Sequence, residues 1–78
     1  MKAKKWTLED LREASYWERP TVRVKYRGVV YRADVGLEKN KAWVRACLGG
    51  DLHITDTFSI EDVLNAINDE AAPPLEIG

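Results

Sequence analysis

One cysteine, Cys47, stands in the whole chain of 78 residues, so no internal disulfide can brace the fold. Long apolar runs are missing as well. No stretch comes near the roughly 20 apolar residues that a membrane span needs. Lys2, Lys4 and Lys5 lead into no apolar segment of the kind a secretory leader carries. A reducing cytoplasm is therefore the expected compartment. Histidine occurs once, at His53, and a pair of Cys47 and His53 falls short of the three or four ligands of a zinc site. Gly49-Gly50 is not followed by the lysine and serine of a phosphate-binding loop. Pro73-Pro74 lacks the PxxP spacing of an adaptor ligand.

Positive charge is absent from a whole half of the chain. Residues 46–78 hold seven acids and no lysine or arginine, whereas residues 1–45 hold all 12 Lys and Arg against six acids. The overall net charge of −1 thus conceals a first half at +6 and a second half at −7. A fold that keeps the halves apart is dipolar and can orient on a charged partner.

What is present describes one small domain. A chain of this length buries only about 60–65% of its unfolded surface, so its stability is modest. An apolar content of 45% excludes disorder along the whole chain. The first element reads as a helix over residues 8–18. Thr7 is its N-cap, Asp10 takes the N3 position of a capping box, and Trp6 and Leu11 have the spacing of a hydrophobic staple. Leu8, Leu11, Ala14 and Trp17 supply its apolar stripe, and Pro20 ends it.

Residues 21–35 read as a β-hairpin, because Val22, Val24 and Tyr26 alternate with Arg23, Lys25 and Arg27. A two-residue turn at Arg27-Gly28 sets Tyr26 opposite Val29, Val24 opposite Tyr31 and Val22 opposite Ala33. Every apolar pair then falls on one face, and a one-residue slip would destroy the agreement. A turn at Lys39-Asn40 sets Val35 opposite Val44, Ala33 opposite Ala46 and Tyr31 opposite Leu48, with Asp34 facing Arg45 on the other side. A three-residue turn at residues 49–51 then places Leu52 opposite Leu48 and Ile54 opposite Ala46. Asp56 breaks the apolar stripe, so the last strand is expected to end near Thr55.

Ser59 caps a second helix, with Phe58 and Val63 at staple spacing and Glu61 and Asp62 in the first turn, where the helix dipole favours acids. Ile60, Val63, Leu64 and Ile67 recur at i, i+3, i+4 and i+7. The helix is expected to end near Asp69 or Glu70, leaving residues 71–78 as an extended, flexible tail. The expected architecture is α+β in the order α-β-β-β-β-α. A four-stranded antiparallel meander with one terminal helix at each end forms a single domain over residues 1–70.

The same registers define an outer face carrying Arg23, Lys25, Val30, Arg32, Asp34, Trp43, Arg45, Cys47, His53 and Thr55. Arg23 falls directly opposite Arg32, a like-charge pair that opposes strand pairing. A basic face with a tryptophan suits an acidic protein surface, since Trp and Arg are common interface anchors. It also suits nucleic acid, where cations meet phosphates and the ring stacks on a base. It also matches a plain solvated face on which arginine stems cover the ring. The expected partner-binding residues are Arg23, Lys25, Arg32, Trp43 and Arg45. Cys47 and His53 also face each other there, but a flat sheet offers this pair no pocket, oxyanion hole or orienting third group. No catalysis, metal or cofactor is expected. The acids of the second helix, Glu61, Asp62, Asp69 and Glu70, with Asp51 and Asp56, form a second candidate surface that could mimic phosphates; the same run also matches a solvated helix face with favourable N-terminal charges.

In style the chain resembles the small accessory proteins of phages and mobile elements, the anti-CRISPR inhibitors among them. The resemblance rests on the short chain, the meander from Thr21-Val22-Arg23-Val24-Lys25-Tyr26 to Leu52-His53-Ile54, and the closing helix Ser59-Ile60-Glu61-Asp62-Val63-Leu64. That group shares no motif, so no functional residue carries over from it. The resemblance implies a stoichiometric inhibitor that docks on a CRISPR effector complex and blocks target DNA or nuclease recruitment. The expected function is accordingly a non-enzymatic binder of a host protein or nucleoprotein complex, with a small nucleic-acid-binding domain as the alternative.

Overall fold

Two helices and five strands follow one another in the structure, a computed structural model that describes residues 5–78 apart from the side chain of Tyr16. Lys2 and Lys4 lie outside the described residues. Helix α1 spans Leu8–Glu13 and a 3-10 turn spans Tyr16–Glu18. Four strands follow: β1 (Thr21–Tyr26), β2 (Val29–Glu38), β3 (Lys41–Gly49) and β4 (Leu52–Ser59). Helix α2 covers Ile60–Asn68, and a short β5 covers Leu75–Glu76. The sheet is mixed and five-stranded, in the order β4-β3-β2-β1-β5.

Local chemistry explains the hairpins. Arg27 and Gly28 both take positive φ, 53° and 82°, which is the I′-type turn whose twist matches that of the flanking strands. Tyr26 therefore pairs with Val29, Val24 with Tyr31 and Val22 with Ala33. Across the next turn Val35 pairs with Val44 and Asp34 with Arg45. The inner face so formed is the core: Val22, Val24, Ala33, Val35, Val44 and Ala46 are all at most 1% exposed. Val63 of α2, fully buried, packs into the same cluster. Ser59 caps α2 by accepting from the Asp62 N–H at 3.1 Å.

Five features depart from the sequence reading. The first helix stops at Glu13 rather than Glu18. Its N-terminus has the expected box, Thr7 Oγ1 accepting from the Asp10 N–H and Asp10 Oδ2 from the Thr7 N–H. A second box-like signal, Ser15-x-x-Glu18, competes from within: the Ser15 N–H donates to Glu18 Oε1 at 3.2 Å and starts the 3-10 turn. Trp17 consequently leaves the apolar stripe and stands 84% exposed, whereas Leu11 stays fully buried.

Strand β4 runs through Asp56 to Ser59. Asp56 faces Val44 but is only half-buried, on the outermost strand, and its Oδ1 accepts from the Thr57 N–H at 2.8 Å. A carboxylate at that margin keeps its solvent and does not terminate pairing. At the other end of β4, Leu48 falls in an irregularity between Cys47 and Gly49, so Leu52 faces Gly49 rather than Leu48.

Residues 71–78 do not stand apart as a tail. After the extended Pro73-Pro74, Leu75 and Glu76 pair in parallel with Val24 and Lys25 of β1. Ile77 is 8% exposed, joins the core and donates its N–H to the Lys25 carbonyl at 3.0 Å. The apolar-polar-apolar run Leu75-Glu76-Ile77 is itself a strand signal, too short to recognise without its partner.

Finally, Val29 and Leu52 belong to the inner face by register but remain 51% and 63% exposed. The nine residues of α2 reach only about 13 Å. They cross from β4 to β1 and leave the end of the sheet at the residue 27–28 and 49–51 turns uncovered. The segment before α1 is tied to the C-terminal end of α2. Asn68 accepts from the Trp6 N–H at 2.7 Å and donates to the Trp6 carbonyl at 2.8 Å. No helix among the described residues is long and apolar enough to cross a membrane.

Candidate functional site

The outer face follows from the pairing that builds the core. Val30, Arg32 and Asp34 of β2 are exposed, as are Arg45 and Cys47 of β3 and His53, Thr55 and Thr57 of β4. The five residues expected to meet a partner all sit here, but the structure sorts them into two groups with different surroundings.

The first group centres on Trp43. Its partner across β2–β3 is Gly36, and the indole lies flat on that glycine. A Cβ added to Gly36 would sit 2.0 Å from Trp43 Cε2 and Cζ2. The absent side chain is thus what lets the ring lie down on the sheet, a cross-strand glycine–aromatic pair. Trp43 is half-buried in consequence, and Gly36 is buried beneath it. The Arg45 guanidinium stands over the ring at 5.9 Å from its centroid and lies 3.9 Å from Asp34 Oδ2. Together Glu38, Trp43, Arg45, Thr55 and Thr57 line a shallow depression of about 300 Å³. Gly36, Glu38 and Thr57 were missing from the sequence-based site. The register that paired Val35 with Val44 already placed Gly36 against Trp43, so that signal was present.

Gly36→Ala is expected to lift the ring off the sheet and to destabilise the fold by about 1–3 kcal/mol, the usual range for overpacking. Denaturant unfolding would measure the loss, and Trp43 fluorescence shifted to the red would report the exposed ring.

The second group is the arginine pair. Arg23 and Arg32 do face each other across β1–β2, but Arg23 turns over the sheet margin and donates to the carbonyls of Glu70 and Ala72. A cation at the carbonyl-rich end of α2 is electrostatically favourable. The repulsion inferred from sequence is relieved within the chain, so no external anion is required to explain Arg23. Arg32 stays exposed, with Nη1 3.5 Å from Thr21 Oγ1. A cleft of about 190 Å³ lies between them and α2, lined also by Ala66, Ile67 and Glu70. Lys25 is half-buried and pairs by register with Val30 and Glu76.

Arg23→Ala removes both carbonyl contacts and is expected to cost about 1–2 kcal/mol, since charge-assisted hydrogen bonds are worth more than neutral ones. Hydrogen exchange should then quicken at Ile77, whose N–H bonds β1 through the segment that Arg23 holds.

Cys47 and His53 face each other as the sequence reading had it. Each turns toward the neighbouring loop: Cys47 Sγ lies 3.9 Å from the Gly50 carbonyl and His53 Nδ1 3.1 Å from the Asp51 carbonyl. Among the described residues, no group of three His, Cys, Asp or Glu side chains is placed to share a metal ion. Comparison with protein-family models, with curated proteins and with solved structures gave no match for this chain.

Proposed function

We propose that this chain is a non-enzymatic binding protein, a stoichiometric inhibitor of the anti-CRISPR type. It docks its outer sheet face on a host protein or nucleoprotein complex and blocks nucleic-acid binding or nuclease recruitment. The observation that carries this reading is the Trp43 ring laid flat on Gly36 beside Arg45, on the outer side of the sheet where Arg45, Thr55 and Thr57 are exposed. A tryptophan already held in place loses little freedom on binding, and Trp beside Arg is a frequent anchor of protein interfaces. Arg32 and Lys25 extend the patch toward β1 and steer an acidic partner. Arg23 acts indirectly, by holding the segment between α2 and β5.

A second reading, nucleic-acid binding, draws on the same ring, because a flat indole with a guanidinium beside it can stack a base. The protein reading is favoured by charge. Arg23 is engaged with backbone carbonyls and Arg45 lies beside Asp34, while Glu38 sits next to the ring. Among the cations expected at this face, Arg32 and Lys25 remain for a phosphate backbone, whose binding depends on several. Titration with generic single- and double-stranded DNA and RNA at two salt concentrations separates the readings. The inhibitor reading expects at most weak binding that vanishes with salt, together with salt-tolerant capture of one protein or nucleoprotein complex from host lysate. Tight, steeply salt-dependent binding to generic nucleic acid would favour the second reading.

A further inference from the structure

Arg23 and Arg32 stand opposite each other across β1 and β2, a position that sets Cβ atoms about 5 Å apart. Among the described residues, neither guanidinium forms an ion pair with a carboxylate. Arg23 donates to the carbonyls of Glu70 and Ala72 through one nitrogen, Nη2. The Arg32 side chain meets only the Thr21 hydroxyl. The carbonyls explain where Arg23 points, but a dipole does not cancel a full charge. The cleft of about 190 Å³ between these two side chains and α2 is therefore lined by two cations without a counter-charge bound to either. Thr21 adds a hydroxyl to it, and Ala66 and Ile67 form its apolar wall.

We propose that this cleft is a binding site for a single carboxylate group, held between Arg23 and Arg32. A guanidinium is planar, and its N–H groups match the two oxygens of a carboxylate. Nε and Nη1 of Arg23 are left for that contact, because both carbonyls are met by Nη2. The carbonyls also hold Arg23 in place before a ligand arrives, so little freedom is lost there on binding. Glu70 selects among anions. It is exposed on the same cleft, and the carbonyl-rich end of α2 lies beside it, so negative charge is already present. A phosphate group, which carries about −1.5 to −2 at pH 7, meets more repulsion there than a carboxylate of charge −1. The cleft shares no lining residue with the Trp43 depression, so the proposal stands whether or not that depression binds a partner.

Nuclear magnetic resonance titration of the full chain at low salt tests it, with N-acetyl-L-alanine as the probe. Kd is expected on the order of millimolar, as suits so small a ligand. Shifts should concentrate at Thr21, Arg23, Arg32, Ala66 and Ile67. The amide of the same probe, which has no charge, should leave them unmoved. The blocked peptide acetyl-Gly-Glu-Gly-amide carries its carboxylate on a side chain. Tighter binding of the peptide than of N-acetyl-L-alanine would mark an acidic protein side chain as the source of the ligand, and weaker binding a free acid. Arg32 is exposed, so Arg32→Gln should keep the melting curve of the parent yet weaken binding of N-acetyl-L-alanine at least tenfold. The absence of shifts at concentrations well above that Kd would overturn the proposal. So would equal shifts with the amide, binding indifferent to Arg32→Gln, or inorganic phosphate bound as tightly as the acid.

Discussion

Val63→Asp should leave no folded protein at room temperature. Val63 is fully buried and packs among Val22, Val24, Val35 and Val44 beneath α2. A carboxylate there would lose its water, and among the described residues the core holds no buried polar or charged side chain to receive it. Burying such a group without a partner costs at least a few kcal/mol, against a total of about 5 kcal/mol for a domain this small. Circular dichroism should show the strand signal lost and no cooperative melt. A variant that melts like the parent would mean that α2 does not cover the sheet. Val63→Ala is the milder form. It should shift the midpoint without abolishing the transition, because it removes two methyl groups and adds no charge.

Trp43→Ala should be the most damaging single change to partner binding. The ring offers a wide, preorganised surface beside Arg45, and truncating a central aromatic anchor typically costs about 2 kcal/mol or more, roughly 30-fold in Kd. The same truncation uncovers Gly36, so affinity has to be measured where the variant is still folded. Trp43→Phe should fall between the two, since a smaller ring still lies over Gly36. Arg32→Glu is expected to act on association rather than dissociation: an exposed charge reversal slows encounter and weakens its salt dependence. Affinity unchanged in Trp43→Ala would separate the ring's packing role from any role in binding.

The outline of the fold was readable because one face is apolar at strict two-residue spacing. Val22, Val24, Ala33, Val35, Val44 and Ala46 admit a single register, and the turn residues at 27–28 and 39–40 agree with it. What escaped the sequence depends on distant partners or on competing local signals. Two strand-forming residues such as Leu75 and Glu76 mean little until β1 presents a margin to them. The helix over residues 8–18 was overextended because apolar spacing continued through Trp17, while Ser15 and Glu18 restarted the backbone locally. In the candidate site, the face and its members were legible from the same alternation. The contacts of Arg23 were not legible, because its partners are carbonyls some fifty residues away, at Glu70 and Ala72. Trp43 was placed on the outer face, but its packing on Gly36 was not drawn from the register that sets the two opposite each other.

The central claim is that the outer face around Trp43 binds the partner, and one comparison tests it most directly. Partner affinity should be measured by calorimetry for the parent, for Arg32→Glu/Trp43→Ala, and for Glu61→Lys/Asp62→Lys on the exposed start of α2, each confirmed folded by its melting curve. Arg23 is left intact because its loss would loosen the segment leading to β5. The account predicts that the first variant loses at least 30-fold in affinity, the loss expected from its aromatic anchor alone, and that the second binds as the parent does. An outer-face variant that binds like the parent, with binding lost instead in the α2 variant, would contradict the account and move the working surface to the acidic helix.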